Sequence, residues 1–362
     1  MSNSDIRVVP GPANYFSHPG SLERLSDFFS ADQLSRAVWV YGERALAGAE
    51  PFLPAAFHLP EAKKIRFTGH CSERDVAALV QASGDDRAVV IGVGGGALLD
   101  SAKVLARRLG VPLVAIPTIA ATCAAWTPLS VWYSDAGQAL NFEIFDDANF
   151  LVLVEPRIIL NAPAEYLLAG IGDTLAKWYE AVVLAPQPEA LPLTVRLGIN
   201  GALAIRDVLL ASSETALADQ RRGDLTQAFR DVVEAIIAGG GMVGGLGERY
   251  TRVAAAHAVH NGLTVLPQTD KFLHGTKVAY GILVQSALLA QDDVLAQLVQ
   301  AYQRFNLPTT LAALEVDINN RTELDRVIAH TLRPGESIHY LPVTLTPEVL
   351  RAAFEKVEYF SR

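Results

Sequence analysis

Cysteine is scarce in this sequence: Cys71 and Cys123 are the only two in 362 residues, and their spacing suggests no pairing. A disulfide framework is therefore not expected, and a reducing compartment fits. An excess of positive charge is also missing. Thirty Lys and Arg stand against 39 Asp and Glu, a formal net charge of −9 with a pI of about 5.4. Nucleic acid or an anionic membrane would require a basic face, so neither is expected as a partner. The opening MSNSDIRVVPGP lacks a basic segment followed by an apolar one, so no signal peptide is expected. No apolar run approaches the ~18 residues of a membrane span. Repeats, coiled-coil heptads and low-complexity linkers are absent too. These absences lead to the expectation of a soluble cytoplasmic protein acting on small molecules.

What is present is apolar bulk, with 50% hydrophobic and 19% charged residues. The length exceeds what one core usually serves, so two domains are expected. Up to about residue 160, short apolar runs alternate with helical patterns. Strands are predicted at 36–41, 65–67, 88–91, 112–116, 130–133 and 150–154. Helices are predicted from Ser72, capped by Ser72 and Asp75, and over 97–109. This alternation predicts an α/β domain, residues 1–160, with a mostly parallel, Rossmann-like sheet and helices on both faces. Beyond Pro156 the strand pattern stops. Ala- and Leu-rich helical stretches follow at 164–184, 192–210 and 225–237, and from Thr251, Lys277 and Asp292. They predict an all-α domain, residues 161–362, and the cleft between the domains is the default ligand site.

Within the first domain AVVIGVGGGALLDSAK runs from a strand through glycines into a helix. Gly92, Gly94 and Ala97 fit a relaxed G-x-G-x-x-G/A spacing, but no acid follows about 20 residues on, as the usual dinucleotide fingerprint requires. Backbone N–H groups at the helix start suit a phosphate, and a tight turn without a ligand satisfies the same pattern. Glu43, after the strand RAVWVY, could accept from the ribose hydroxyls of NAD. Its neighbour Arg44 could meet the extra phosphate of NADP, and both could equally be solvated loop charges. In the second domain Asp173, His257, His260 and His274 are potential metal ligands. His257 and His260 share a helix face, and His274 lies far enough on to return from another helix. An acid with two imidazoles leaves a coordination position open, as catalytic Zn²⁺ or Fe²⁺ sites do. A further glycine run, GGGMVGGLG at 239–247, follows AII within a helical region and is read as close helix packing or a break between helices, not as a second phosphate loop.

Six ordered motifs carry a resemblance over essentially the whole chain: GPANYFSHPGSLERL, GVGGGALLDSAK, PTIAATCAAWTPLSVWY, GIGDTLAKWYEA, AAAHAVHNGLTVL and FLHGTKVAYG. Together they resemble the iron-containing alcohol dehydrogenase superfamily, within it the glycerol dehydrogenase branch. The resemblance implies an architecture shared with dehydroquinate synthases, NAD or NADP as cofactor, one divalent metal and a homo-oligomer. It places the dinucleotide phosphates on Gly95, Gly96 and Ala97, with Asp100 in the following helix. Thr118 and Ala121 fall beside the cofactor, and Thr127, Leu129 and Tyr133 along the nicotinamide. The metal falls to Asp173, His257 and His274, with His260 as a pocket neighbour able to relay a proton.

Two residues depart from the branch. Cys123 stands where glycerol dehydrogenases carry an aspartate that meets polyol hydroxyls; a neutral thiol would not repel an anionic substrate. Lys177 stands where iron-type members carry a fourth ligand, histidine, which favours zinc over iron. It could supply the positive charge that a substrate carboxylate needs, or could simply pair with an acid such as Glu180. The expected reaction is hydride transfer between nicotinamide and a small 2-oxo or 2-hydroxy acid, with glycerol as the alternative substrate. A lyase of the dehydroquinate synthase type would need a dense basic lining, which the sequence lacks.

Overall fold

The computed structural model describes residues 6–135 and 137–362. Among the described residues there are eight strands: β1 (Asn14–Ser17), β2 (Ala37–Tyr41), β3 (Lys63–Arg66), β4 (Val89–Gly94), β5 (Leu113–Pro117), β6 (Leu129–Tyr133), β7 (Ala139–Ile144) and β8 (Leu151–Val154). Six of them form one sheet in the order β1-β8-β5-β4-β2-β3, and every pairing in it is parallel. β6 and β7 form a separate antiparallel ribbon. The central strands VVIGVG and LVAIP are buried throughout, the continuous apolar run that a covered parallel strand requires. Trp39, Ile91, Ile116 and Leu153 share one core cluster of this sheet.

The six expected strands are all found, within a few residues of their predicted bounds. β1 and β7 are additional. β1 has four half-buried residues at the sheet edge, and β7 turns Leu140, Phe142 and Ile144 outward, so neither shows an apolar-inward alternation. Ser72 caps its helix as expected, accepting from the backbone N–H of Asp75.

The strand order contains a reversal that matters for ligands. From β2 the chain runs outward to β3, then returns to place β4 on the other side of β2 and continues to β5. Ligands of open α/β sheets bind outside the carboxyl ends of the strands at such a switch point. Here those ends are Tyr41-Gly42-Glu43 and Gly94-Gly95-Gly96, and the Gly42 N–H reaches the Val93 carbonyl at 3.4 Å.

The chain divides into two compact units. One holds Val9–Pro163 together with Asp219–Gly245, and so contains every described strand; the other holds residues up to Val8, Ala164–Ala218 and Leu246–Arg362. In the second, the long helices Ala164–Leu184, Ala255–Leu263 and His274–Leu288 lie side by side. The glycine run at 239–247 is helical, entered through a π-helical turn at Ala235–Gly239. Gly241 lies against the Trp126 ring and Gly245 against the Val9 backbone, so these glycines serve packing, as expected. No helix among the described residues is long and apolar enough to cross a membrane.

Candidate functional site

Asp173 sits in the middle of the helix Ala164–Leu184, His257 near the start of Ala255–Leu263, and His274 at the first position of His274–Leu288. Side chains on three helices meet only if the backbones approach closely, and glycines beside the ligands allow this. A Cβ on Gly172 would come within 2.5 Å of the Gly275 carbonyl, and one on Gly275 would overlap the Ala169 carbonyl. Gly281 meets the Ala256 carbonyl in the same way, which holds the His257 helix against the His274 helix.

The result is a convergent donor set. Asp173 Oδ1 lies 3.4 Å from His257 Nε2 and 3.3 Å from His274 Nε2, and the three donor atoms all fall within 4.8 Å of one another. Asp173 Oδ1 is buried without a hydrogen-bond partner. An orphaned carboxylate oxygen is costly unless something else satisfies it. A tetrahedral metal with bonds of about 2.0–2.1 Å separates its donors by about 3.3–3.4 Å, so these two edges fit a first-row divalent ion. The side chains of Asp173 and His257 are 9% and 14% exposed and that of His274 is 43% exposed, which leaves the set open on the His274 side.

Each imidazole is held through its other nitrogen. His257 Nδ1 lies 2.7 Å from Glu180 Oε2. Glu180 is fully buried, and a carboxylate can only accept, so Nδ1 carries the proton. His274 Nδ1 lies 3.0 Å from His260 Nε2, and His260 Nδ1 lies 3.0 Å from Asn261 Oδ1. The Asn261 amide donates to Glu336, which also accepts from Arg333. This line fixes its own polarity: Asn261 donates to the carboxylate, its oxygen accepts from His260 Nδ1–H, and His260 Nε2 accepts from His274 Nδ1–H. Both Nε2 atoms then face Asp173 while each Nδ1 is engaged elsewhere, the arrangement found in metal-ligating imidazoles.

The electrostatics follow. Burial pushes the Asp173 pKa upward, but the two facing imidazoles overcome it and hold the carboxyl well below its ordinary range. Burial disfavours the charged form of His257, yet Glu180 and Asp173 raise its pKa to about 9. Burial, then the charges of His274 and Lys277, hold His260 well below the ordinary imidazole value, in keeping with its place as a neutral link.

In the sheet unit, Gly95 caps the helix Gly96–Leu109 with no side-chain capping bond. Its first N–H groups are thus available to a ligand. Gly92 and Gly94 are consumed by packing, because a Cβ on either would press against Leu98 and its neighbours. Gly95, Gly96 and Ala97 carry the exposed part of the turn. Thr118, at the end of β5, donates its N–H to the Gly94 carbonyl. Ala121 and Cys123 lie half-buried in the turn that follows, and Thr127 donates its N–H to the Cys123 carbonyl. Leu129 and Tyr133 are the two ends of β6, and Tyr133 packs on His70.

Asp100 faces inward. Its Oδ1 accepts from Lys103 at 2.9 Å and its Oδ2 from the Val131 N–H at 3.2 Å, while Lys103 also donates to the Leu129 carbonyl. Asp100 thereby ties the helix to β6. Glu43 is exposed at the start of its helix and pairs with Arg66 at 3.1 Å, a partner at the end of neighbouring β3 that the sequence reading did not identify. Lys177 is half-buried one turn after Asp173; Glu180, weighed as its partner, directs both oxygens at the His257 helix. Glu180 and Gln285 join the site from the structure alone. Glu180 lies seven residues after Asp173, two helical turns on the same face, and that spacing was the available signal.

Residues 12–156 match the family of iron-containing alcohol dehydrogenases. The chain is 79% identical to hydroxycarboxylate dehydrogenase A of Escherichia coli over 360 residues, 99% of each chain. It is 34% identical to a glycerol dehydrogenase of Pseudomonas putida over 96% of each. A solved structure of a probable glycerol dehydrogenase from Sinorhizobium meliloti superposes with a TM-score of 0.85 at 28% identity, covering 98% of this chain and 99% of that one. With the parallel sheet, the helical unit and this sequence likeness together, the chain belongs to the iron-containing alcohol dehydrogenase family and is an oxidoreductase.

Proposed function

We propose that this oxidoreductase binds one divalent metal, zinc before iron, on Asp173, His257 and His274, and uses NAD or NADP to interconvert a small 2-oxo acid and its 2-hydroxy acid. The observation that carries the proposal is the buried, unpartnered Asp173 Oδ1 facing two Nε2 atoms at 3.3–3.4 Å. A bound divalent ion supplies Lewis acidity toward the substrate oxygen, worth several kcal/mol of charge stabilisation. The protein contributes position and electrostatics, while the nicotinamide carries the redox chemistry. The N–H groups at Gly95, Gly96 and Ala97 take the dinucleotide phosphates. Glu43 takes the ribose hydroxyls of NAD, and Arg44 and Arg66 offer charge to the phosphate of NADP. His260 holds the His274 ring, with its own nitrogens engaged on both sides.

Two features support a substrate carboxylate. Lys177 lies one turn from Asp173, and Cys123 places no fixed negative charge in its turn. The relative named hydroxycarboxylate dehydrogenase A points the same way, and the relatives named glycerol dehydrogenase keep glycerol as the second reading. The test is oxidation of NADH and of NADPH with 2-oxo acids and with dihydroxyacetone, before and after a chelator. Faster turnover of the 2-oxo acids, lost on chelation and regained with zinc, is the expected result. A Lys177→Ala variant with an unchanged KM for the 2-oxo acid would remove that lysine from the scheme.

A further inference from the structure

The helix that carries His257 begins without a cap of its own. Ala254, at its N-cap position, offers no side-chain acceptor, and Ala254, Ala255 and Ala256 are fully buried. Buried N–H groups at a helix start need acceptors. Two side chains from the flanking helices supply them. Glu180 Oε1, from the Asp173 helix, accepts from Ala254 N at 2.6 Å and His257 N at 3.1 Å. Gln285 Oε1, from the His274 helix, accepts from Ala255 N at 3.1 Å and Ala256 N at 3.3 Å. The Gln285 amide then donates to the Tyr179 carbonyl at 2.7 Å, closing the link back to the Asp173 helix.

The two capping residues differ in one respect. Gln285 meets only backbone, whereas the second oxygen of Glu180 meets the His257 ring. From this we infer that Glu180 is a positioning residue for the metal site, holding His257 in the Nδ1–H form so that its Nε2 lone pair is free for a divalent cation. The inference rests on the metal reading proposed above. An outer-shell carboxylate of this kind orients the ring and raises its basicity as a ligand. Gln285 shares the capping task and lacks this second one.

The isosteric Glu180→Gln separates the two tasks. An amide has one acceptor oxygen and one donor nitrogen. If the oxygen keeps the Ala254 and His257 N–H groups, the NH₂ group faces His257 Nδ1. The ring must then carry its proton on Nε2, the atom the metal needs. All backbone donors stay satisfied, so the fold is retained while the ligand is disabled. Gln285→Met does the reverse: it strips the acceptor from the Ala255 and Ala256 N–H groups and leaves the Glu180–His257 contact in place.

The experiment measures zinc affinity of the full chain by chelator competition and, in parallel, the urea midpoint of the metal-free protein. E180Q is expected to bind zinc roughly 10- to 100-fold more weakly, the usual cost of losing an outer-shell partner, with a metal-free urea midpoint close to that of the parent. Q285M is expected to lower the urea midpoint and keep zinc affinity within about threefold of the parent, since no outer-shell contact is removed. Zinc affinity of E180Q within threefold of the parent overturns the inference. So does an equal loss of zinc affinity in both variants, which would make Glu180 a cap and nothing more. A parent protein that takes up no stoichiometric zinc would instead defeat the metal reading itself, so the two failures are distinguishable.

Discussion

At the carboxyl end of β4 the surface offered to a ligand is backbone: the N–H groups of Gly95, Gly96 and Ala97, at the start of a helix with no side-chain cap. Around Asp173 the surface offered is side chain, three polar groups from three helices, and the backbone acts only by letting those helices touch at Gly172, Gly275 and Gly281. The first arrangement needs small residues and a topological reversal. The second needs an outer layer of buried acids and amides to aim it. The same contrast recurs in two buried carboxylates that meet helix starts. Glu155 accepts from the N–H groups of Gly20 and Arg157 and is balanced by the Arg157 guanidinium. Glu180 accepts from the Ala254 and His257 N–H groups, and its second oxygen meets an imidazole. One meets backbone and a guanidinium; the other meets backbone and an imidazole.

The sharpest way to break this comparison is to remove the side-chain site. Asp173→Ala is expected to lower kcat by about 10³-fold or more, because several kcal/mol of Lewis-acid stabilisation are lost and each ~1.4 kcal/mol is tenfold. Stoichiometric zinc should vanish with it, as elemental analysis would show, while binding of the dinucleotide alone persists. Gly275→Ala tests whether the helix contact sets the site. Overpacking against the Ala169 carbonyl should cost about 1–3 kcal/mol in urea unfolding and weaken zinc binding together with stability.

The backbone site is probed by Gly96→Ala, whose methyl group would meet Thr122 and Ala124 only at ordinary contact distance, 3.4 and 3.5 Å. The protein should stay as stable and hold zinc as well. Its KM for the dinucleotide should rise about tenfold, roughly 1.4 kcal/mol, because the added Cβ obstructs close approach of the phosphates. An unchanged KM would return the loop to a plain strand-to-helix turn.

The smallest effect concerns pH. Burial works against ionised Glu155, but Arg157 and the Gly20 N–H outweigh it and hold its pKa below the ordinary 4.5. A carboxylate lowered on folding stabilises the fold fully above its unfolded pKa, and that contribution fades as pH falls through the folded one. Glu155→Gln should therefore cost about 1–3 kcal/mol near neutral pH. The gap between parent and variant, read from urea midpoints, should narrow progressively below about pH 4.5. A gap independent of pH would assign the loss to shape instead of charge.

Much of this was legible in the sequence. The strands 36–41, 88–91 and 112–116 announced themselves because parallel strands are apolar without interruption. His257, His260 and His274 could be gathered because imidazoles are rare and clustered here; the choice of Asp173, His257 and His274 among the candidates came from the resemblance. What escaped is instructive. β1 is a short edge strand of half-buried residues, and β7 alternates Leu140, Phe142 and Ile144 with polar residues but turns the apolar ones outward, in a ribbon outside the main sheet. Glu180 reads as one acid among many in a helix, and Gln285 as an ordinary amide, until the helices are seen to pack. Asp100 and Gly94 sit within a phosphate-loop pattern, yet the structure engages them in a tether to β6 and in helix packing. Local spacing identifies residue types; it does not say which of them face inward.

The contact between Gly172 and Gly275 has a consequence for which ions the enzyme could accept. Asp173 and His274 are the immediate chain neighbours of those glycines, so the span between their donor atoms is gauged by two missing methyl groups. On the metal reading proposed above, enlarging either position is expected to widen the span between Asp173 and His274 and to favour cations of greater radius.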